Sequence, residues 1–274
     1  MSRRQANGTL SQFCGSGLEI GGPSNFFRPG EEFPVYSVAA RLDNVNFSSR
    51  TFWEGSLREG DNFTFSPHKP NGRQFIREAG DLAPIPDQTY DFVISCHTLE
   101  HCANPVKALH EWRRVLKTGG CFALILPHKA GTFDHRRNVS TLEHLIEDYR
   151  SGTAEDDATH FAEILEKHDL KRDPGQKSRA DFEAWITNNI ATRGAHHHVF
   201  DPALAVTLVD YAGFNVITAE TLPPFHIFVV GQKAGRPAGQ ASDVSRILQA
   251  CYERSPFKED RQKRNRYGQG SNHR

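Results

Sequence analysis

Short apolar runs alternate with helical stretches along most of the chain. Residues 17–20 (Gly-Leu-Glu-Ile) form the first run, break at Gly21-Gly22-Pro23, and read as a buried strand ending in a tight turn. Val35–Val38 is a second strand candidate and residues 74–76 a third, with a weaker run at 63–65. Residues 90–95 make a clear buried strand, and residues 121–126 a fifth one, stopped by Pro127. The best helix lies between these two. Asn104 is its N-cap and Pro105 its first residue. Val106, Leu109, Trp112, Val115 and Leu116 line its apolar face, and Gly119-Gly120 is expected to end it. Asp201-Pro202 caps a later helix through Tyr211, followed by strands at 215–219 and 226–230 and a short helix near 244–251. Continuous apolar strands separated by helices define an α/β protein whose mostly parallel sheet is covered on both faces.

Residues 130–199 break this rhythm. They are polar and charged, with helical patches near 141–150, 155–168 and 178–191. The chain has 14 histidines, and eight of them fall between His128 and His198. An insertion after the fifth strand stands above the carboxyl ends of the strands, where open α/β sheets bind ligands. It reads as a helical lid. His144 and Asp148 are four residues apart, as are Asp156 and His160, so each pair shares a helix face. Such pairs could bind a metal. Hydrogen-bonded pairs that build a polar cap are the simpler reading, and no metal ligand is assigned. In an extended His196-His197-His198 run, His196 and His198 point together.

Composition removes several function classes. Lys+Arg and Asp+Glu are both 33, so the balance gives no reason to expect nucleic acid or an anionic membrane as partner. No apolar run is long enough to span a bilayer, and no apolar stretch follows Met1-Ser2-Arg3-Arg4, so a secretory signal is not expected. The five cysteines are scattered without a CxxC pair, which suits reduced thiols in a cytoplasmic protein. Residues 258–274 are basic and rich in Gly, Asn and Gln, and are expected to be a disordered, solvated end.

The turn after the first strand carries the first chemistry. A dinucleotide site wants G-x-G-x-x-G, with backbone N–H groups meeting a pyrophosphate. Gly21-Gly22-Pro23-Ser24-Asn25 lacks the later glycines, its proline removes a donor, and Glu19 would repel phosphate. A carboxylate beside such a turn suits S-adenosylmethionine, which has no phosphate and carries an ammonium and a sulfonium. Three stretches then resemble the S-adenosylmethionine-dependent methyltransferases with the Rossmann-like fold. They are residues 18–22 (Leu-Glu-Ile-Gly-Gly), residues 81–86 with the strand 90–95, and His97-Thr98-Leu99-Glu100-His101 through Asn104-Pro105 to Arg114-Val115-Leu116-Lys117-Thr118-Gly119-Gly120. The resemblance covers about residues 15–130 and 199–233.

That resemblance implies a Rossmann-like sheet of seven strands. It implies a methyltransferase domain over 1–233 with the lid 130–199 inserted, and a polar, partly disordered tail over 234–274. It implies S-adenosylmethionine as cofactor, with Glu19, Gly21 and Gly22 at its methionine end. Asp43 is the candidate for the ribose hydroxyls, Asp81 and the Leu82 N–H for adenine, and His97 for the methionine or the substrate. Glu100 and His101 either fix the turn by hydrogen bonds or take part directly. His128, emerging after Pro127, is expected to act as general base, with His97 competing and a lid-anchoring role as the alternative. The expected reaction is methyl transfer to a small polar metabolite or a glycan-type substrate. A non-catalytic binding protein of the same fold and a metal-dependent enzyme using the His-rich insertion remain as alternatives.

Overall fold

The computed structural model describes residues 9–233 and 243–267. The chain runs through β1 (Ser16–Ile20), α1 (Val35–Val38), β2 (Arg41–Asn46), the hairpin β3 (Arg50–Thr51) and β4 (Gly55–Ser56), β5 (Gly60–Phe63), β6 (Gly72–Ile76), β7 (Tyr90–Cys96), α2 (Pro105–Val115) and β8 (Leu116–Pro127). The insertion holds α3 (Leu142–Ser151), α4 (Phe161–Lys167), α5 (Arg179–Thr187) and α6 (Asn189–Thr192). Then follow α7 (Pro202–Tyr211), β9 (Asn215–Leu222), β10 (His226–Gln232), α8 (Val244–Arg254) and α9 (Lys258–Tyr267).

Eight strands form one sheet in the order β5-β6-β2-β1-β7-β8-β10-β9. Strands β6, β2, β1, β7 and β8 are parallel, while β10 runs antiparallel between β8 and β9. The parallel strands follow a doubly wound order that reverses direction between β1 and β7. Ligands bind such sheets at the carboxyl ends beside that reversal. The resemblance implies seven strands; the eighth is β5, a short edge strand antiparallel to β6.

Each face of the sheet has its own apolar layer. One face packs Leu18, Val93, Phe122 and Val229 against Trp112 of α2, Leu208 of α7 and Tyr252 of α8. Helix α2 is anchored at both ends of its buried face. Its cap Asn104 Oδ1 accepts from Lys107 N at 3.0 Å, and Trp112 Nε1 donates to the Ala79 carbonyl at 2.9 Å. The other face is covered by aromatics, among them Phe13, Phe27, Phe33 and Tyr36. The insertion has a separate small cluster of Ile164, Phe182, Ile186 and Ala195.

Four sequence expectations change. Val35–Val38 is a helical turn, because a four-residue apolar run does not distinguish helix from strand and the strand position is filled by Arg41–Asn46 with Leu42 and Val45 buried. The glycines 119 and 120 lie within β8, since α2 already ends at Val115. The segment beyond 257, expected to be disordered, is helical over Lys258–Tyr267, and residues 268–274 fall outside the described residues. Residues 243–254, assigned to a polar tail, bury Leu248, Cys251 and Tyr252 in the main core. Among the described residues, no helix is long and apolar enough to cross a membrane.

Candidate active site

A cavity of about 530 Å³ opens where the carboxyl ends of β1, β2, β6, β7 and β8 meet the insertion. Its volume is in the range of small-molecule sites. Gly21 and Gly22 line it with φ of +80° and +99°, a region that favours glycine. A side chain at Gly21 would collide with Thr98 Oγ1, and one at Gly22 with the Glu19 carboxylate. The turn is held to glycine by its backbone angles and by Thr98 and Glu19 behind it, while its backbone lines the cavity.

Glu19 supports this loop from below. It is fully buried and is not a lining residue. Its Oε1 accepts from Ser24 N at 3.0 Å and its Oε2 from Tyr36 Oη at 2.7 Å. Burial pushes its pKa up to about 7, against the lowering effect of those hydrogen bonds. Asp43 also lies away from the cavity. It sits in the middle of β2, with Oδ2 accepting from Tyr90 Oη at 2.8 Å and Oδ1 from Arg73 N at 2.8 Å. The displacement of β2 along the sequence explains this. The strand ends at Asn46, which lines the cavity and donates to the Gly22 carbonyl at 3.0 Å.

The adenine assignment shifts as well. Asp81 is exposed on another surface, and the Leu82 N–H donates to Glu111 Oε2 at 2.9 Å. The cavity is lined instead by Arg77, Glu78 and Ala79, just past β6. Glu78 pairs with Arg193 of the insertion, whose guanidinium lies 5.1 Å from the Phe47 ring centroid.

His97 occupies the position expected from the sequence, after β7 and lining the cavity with φ of +52°. Its Nε2 is 2.8 Å from His226 Nδ1 and its Nδ1 3.3 Å from Glu100 Oε1. His128 does not line the cavity. It is buried, stacks on Phe257 at 4.0 Å, and uses both nitrogens: Nε2 lies 3.1 Å from Asp260 Oδ2, and Nδ1 accepts from Ala130 N at 3.1 Å. The helix α9, which the sequence did not announce, covers the position expected of a base. His128 anchors that helix to the end of β8.

A different acid–imidazole cluster faces the cavity. Glu100, His101 and His196 each offer a ligand atom within 4.8 Å of the others. Glu100 is fully buried, and His101 Nε2 lies 3.9 Å from the same Oε1 that His97 approaches. Burial raises its pKa, but the interaction with His97 and the charges of His101, His97 and His196 outweigh this and lower it. His101 is pushed down to about 4, first by burial and then by His196. Burial also opposes charge on His196, yet Asp134, whose Oδ2 is 2.6 Å from Nδ1, more than offsets it and raises the pKa. Asp134 in turn is held down at about 2: its burial is outweighed by His196 and Arg137. Arg137 is buried, donating to Asp134 Oδ1 at 3.0 Å and to the His196 carbonyl at 2.7 Å. His196 and His198, expected to point together, join different clusters, because the backbone bends at His198 and the run is not a regular strand. The partner Asp134 lies 62 residues before His196, and no spacing in the sequence pairs the two.

Residues 64–124 match the family model described as methyltransferase domain. That matched segment lies within the doubly wound sheet, beside the reversal that holds the glycine turn, so over residues 64–124 the chain is similar to a methyltransferase domain. Among solved structures, the chain is similar to an S-adenosylmethionine-dependent methyltransferase from Mesorhizobium loti, at 12% identity over 84% of this chain and 96% of that one, with a TM-score of 0.49. It is also similar to a methyltransferase from Methanosarcina mazei, at 15% identity over 80% and 92%, with a TM-score of 0.44. A third is 1,6-didemethyltoxoflavin-N1-methyltransferase from Burkholderia thailandensis, solved with S-adenosylhomocysteine, at 10% identity over 85% and 77%, with a TM-score of 0.43. No curated protein matches the chain.

Proposed function

We propose that this chain is an S-adenosylmethionine-dependent methyltransferase, moving the methyl group to an oxygen or nitrogen of a small polar or glycan-type acceptor, with His196 receiving the acceptor's proton. The observation that carries the reading is one cavity lined both by the Gly21-Gly22 cradle and by the Glu100, His101 and His196 cluster. Bound there, S-adenosylmethionine would supply an activated methyl group, its sulfur keeping the electrons of the S–C bond as the acceptor atom takes the carbon. His196 would take the proton that the acceptor gives up. Nδ1 of that ring is committed to Asp134, so Nε2 is the nitrogen left for the acceptor, as in other carboxylate-oriented imidazoles. Alignment within a closed cavity can contribute on the order of 7–11 kcal/mol to lowering the barrier.

The cofactor reading draws on Gly21 and Gly22 for the methionine end, on Asn46 and Glu54 for the ribose, and on the backbone of 77–79 for the adenine. His97 and Arg172 are polar groups in a largely apolar lining, and they suit an acceptor that carries a hydroxyl or anionic group. All five cysteines are unpaired, in accord with a cytoplasmic setting. Calorimetry with S-adenosylhomocysteine tests the reading. The expected result is binding to the unmutated chain and none to a Gly21→Val chain whose circular dichroism spectrum is unchanged. No heat of binding to the unmutated chain at millimolar ligand would remove the proposal.

A further inference from the structure

A second imidazole cluster lies outside the cavity lining. His144 and Asp148 project from one face of α3, His160 is the cap residue of α4, and His198 lies in the extended segment leading to β-bridge partner Phe200. Each of the three histidines offers a nitrogen within 4.8 Å of the others. His144 Nε2 is 3.1 Å from His160 Nε2 and 3.5 Å from Asp148 Oδ2, and His198 Nε2 is 3.6 Å from the same oxygen. Four ligands about 2.0–2.1 Å from a tetrahedral zinc ion lie about 3.3–3.4 Å from one another. Three of the six separations such a site has, His144–His160, His144–Asp148 and His198–Asp148, lie near that edge.

The surroundings orient these groups as a ligand shell does. Asp148 Oδ1 accepts from Thr153 Oγ1 at 3.2 Å, while its buried Oδ2 has no hydrogen-bond partner. His198 is fully buried; Nε2 is 3.3 Å from the Ala103 carbonyl and Nδ1 has no hydrogen-bond partner. The buried Asp148 Oδ2, without a hydrogen-bond partner and facing His144 Nε2 and His198 Nε2, is costly unless a cation satisfies it. Hydrogen bonds from an outer residue to a ligand are the usual support of such sites.

We propose that His144, His160, His198 and Asp148 form a closed site for a divalent transition ion of the zinc type, which pins the insertion. Four protein donors leave no open position, so the ion's role is structural. It ties α3, the start of α4 and the 196–198 segment together, and His196 at the cavity is two residues from the ligand His198. The competing arrangement is a hydrogen-bonded imidazole pair, which takes up no ion.

The test is zinc content and uptake in the tag-free full chain. The expected content is about one zinc per chain after purification or after refilling chelator-treated protein. Cobalt(II) replacing it gives the visible absorption of a tetrahedral site. His160→Ala loses uptake, Thr153→Val weakens zinc affinity by roughly 10–100-fold, and His68→Ala and Glu100→Gln retain the full content. Retention in Glu100→Gln separates this site from the cavity cluster. If His160→Ala fails to fold, the cobalt spectrum of the unmutated chain and the Thr153→Val affinity carry the test. A chelator-treated, folded chain that takes up no zinc, or equal uptake by His160→Ala and His68→Ala, overturns the proposal.

Discussion

The sheet and the insertion solve the burial problem in opposite ways. Around the sheet, the largest fully buried side chains are mostly apolar: Trp112, Phe92, Phe122, Phe214 and Leu18. In the insertion, Arg137, Asp134, His168, His196, His197 and His198 are buried, and the apolar cluster has four residues. Packing of apolar surface tolerates small shifts. A buried polar network holds its members in one arrangement, because each unpaired group costs the full desolvation penalty. The scaffold is therefore built for stability and the insertion for placing chemistry at a fixed point.

The largest expected effects break this contrast directly. Trp112→Ala removes a buried side chain and its hydrogen bond to Ala79, and should destabilise the whole chain by about 3–5 kcal/mol. Arg137→Ala should instead open the insertion while the sheet stays folded, since its partners are Asp134, Glu163 and the carbonyls of 196–197. Limited proteolysis alongside chemical denaturation separates the two. Cleavage confined to 130–199 in Arg137→Ala is the expected result; concerted unfolding in both variants would contradict the division.

Glu19 is a fully buried acid of the scaffold, held by Ser24 N and Tyr36 Oη. Its folded pKa of about 7 lies above the ordinary value of 4.5. Its contribution is therefore complete below about pH 4.5 and is lost as the pH rises through 7. Glu19→Gln should gain stability relative to the unmutated chain between pH 5 and 8, by roughly 2 kcal/mol. Denaturation midpoints at both pH values measure this, and a constant difference would show that Glu19 is ionised throughout.

A smaller effect concerns the base. His196→Ala should lower the maximal methylation rate by about 10²-fold, equivalent to about 2.7 kcal/mol, with cofactor affinity unchanged. Because Asp134 raises the His196 pKa, the neutral, proton-accepting form gains population only as pH rises. The rate should climb through a midpoint above 6.5, and Asp134→Asn should move that midpoint down. A profile insensitive to Asp134→Asn would exclude His196.

What the sequence disclosed follows the same division. Strand β7, helix α2 with its Asn104 cap and helix α7 with its Asp201 cap were legible, because apolar periodicity and local capping are short-range signals. The resemblance pointed to Gly21, Gly22 and His97, and all three line the cavity. Asp43 and Asp81 were misplaced because each depends on where a weakly patterned strand ends. β2 begins six residues after Val35, and the loop after β6 presents Glu78 earlier than expected. His128 was misread because its occupant, Phe257 with Asp260, comes from more than 120 residues away. The Asp134–His196 pair is equally non-local. Long-range polar pairing leaves no periodic trace in a single sequence.

The central claim is that one cavity between scaffold and insertion receives the cofactor on one side and the acceptor on the other. Hydrogen exchange of the full chain with and without S-adenosylhomocysteine tests it most directly. Protection should rise at 20–24, 45–47, 77–79 and 96–98, and exchange should also slow at 131–133 and 193–196, where the insertion closes the cavity. Saturating ligand that protects none of the residues 20–24, or that protects a surface away from these segments, would contradict the account.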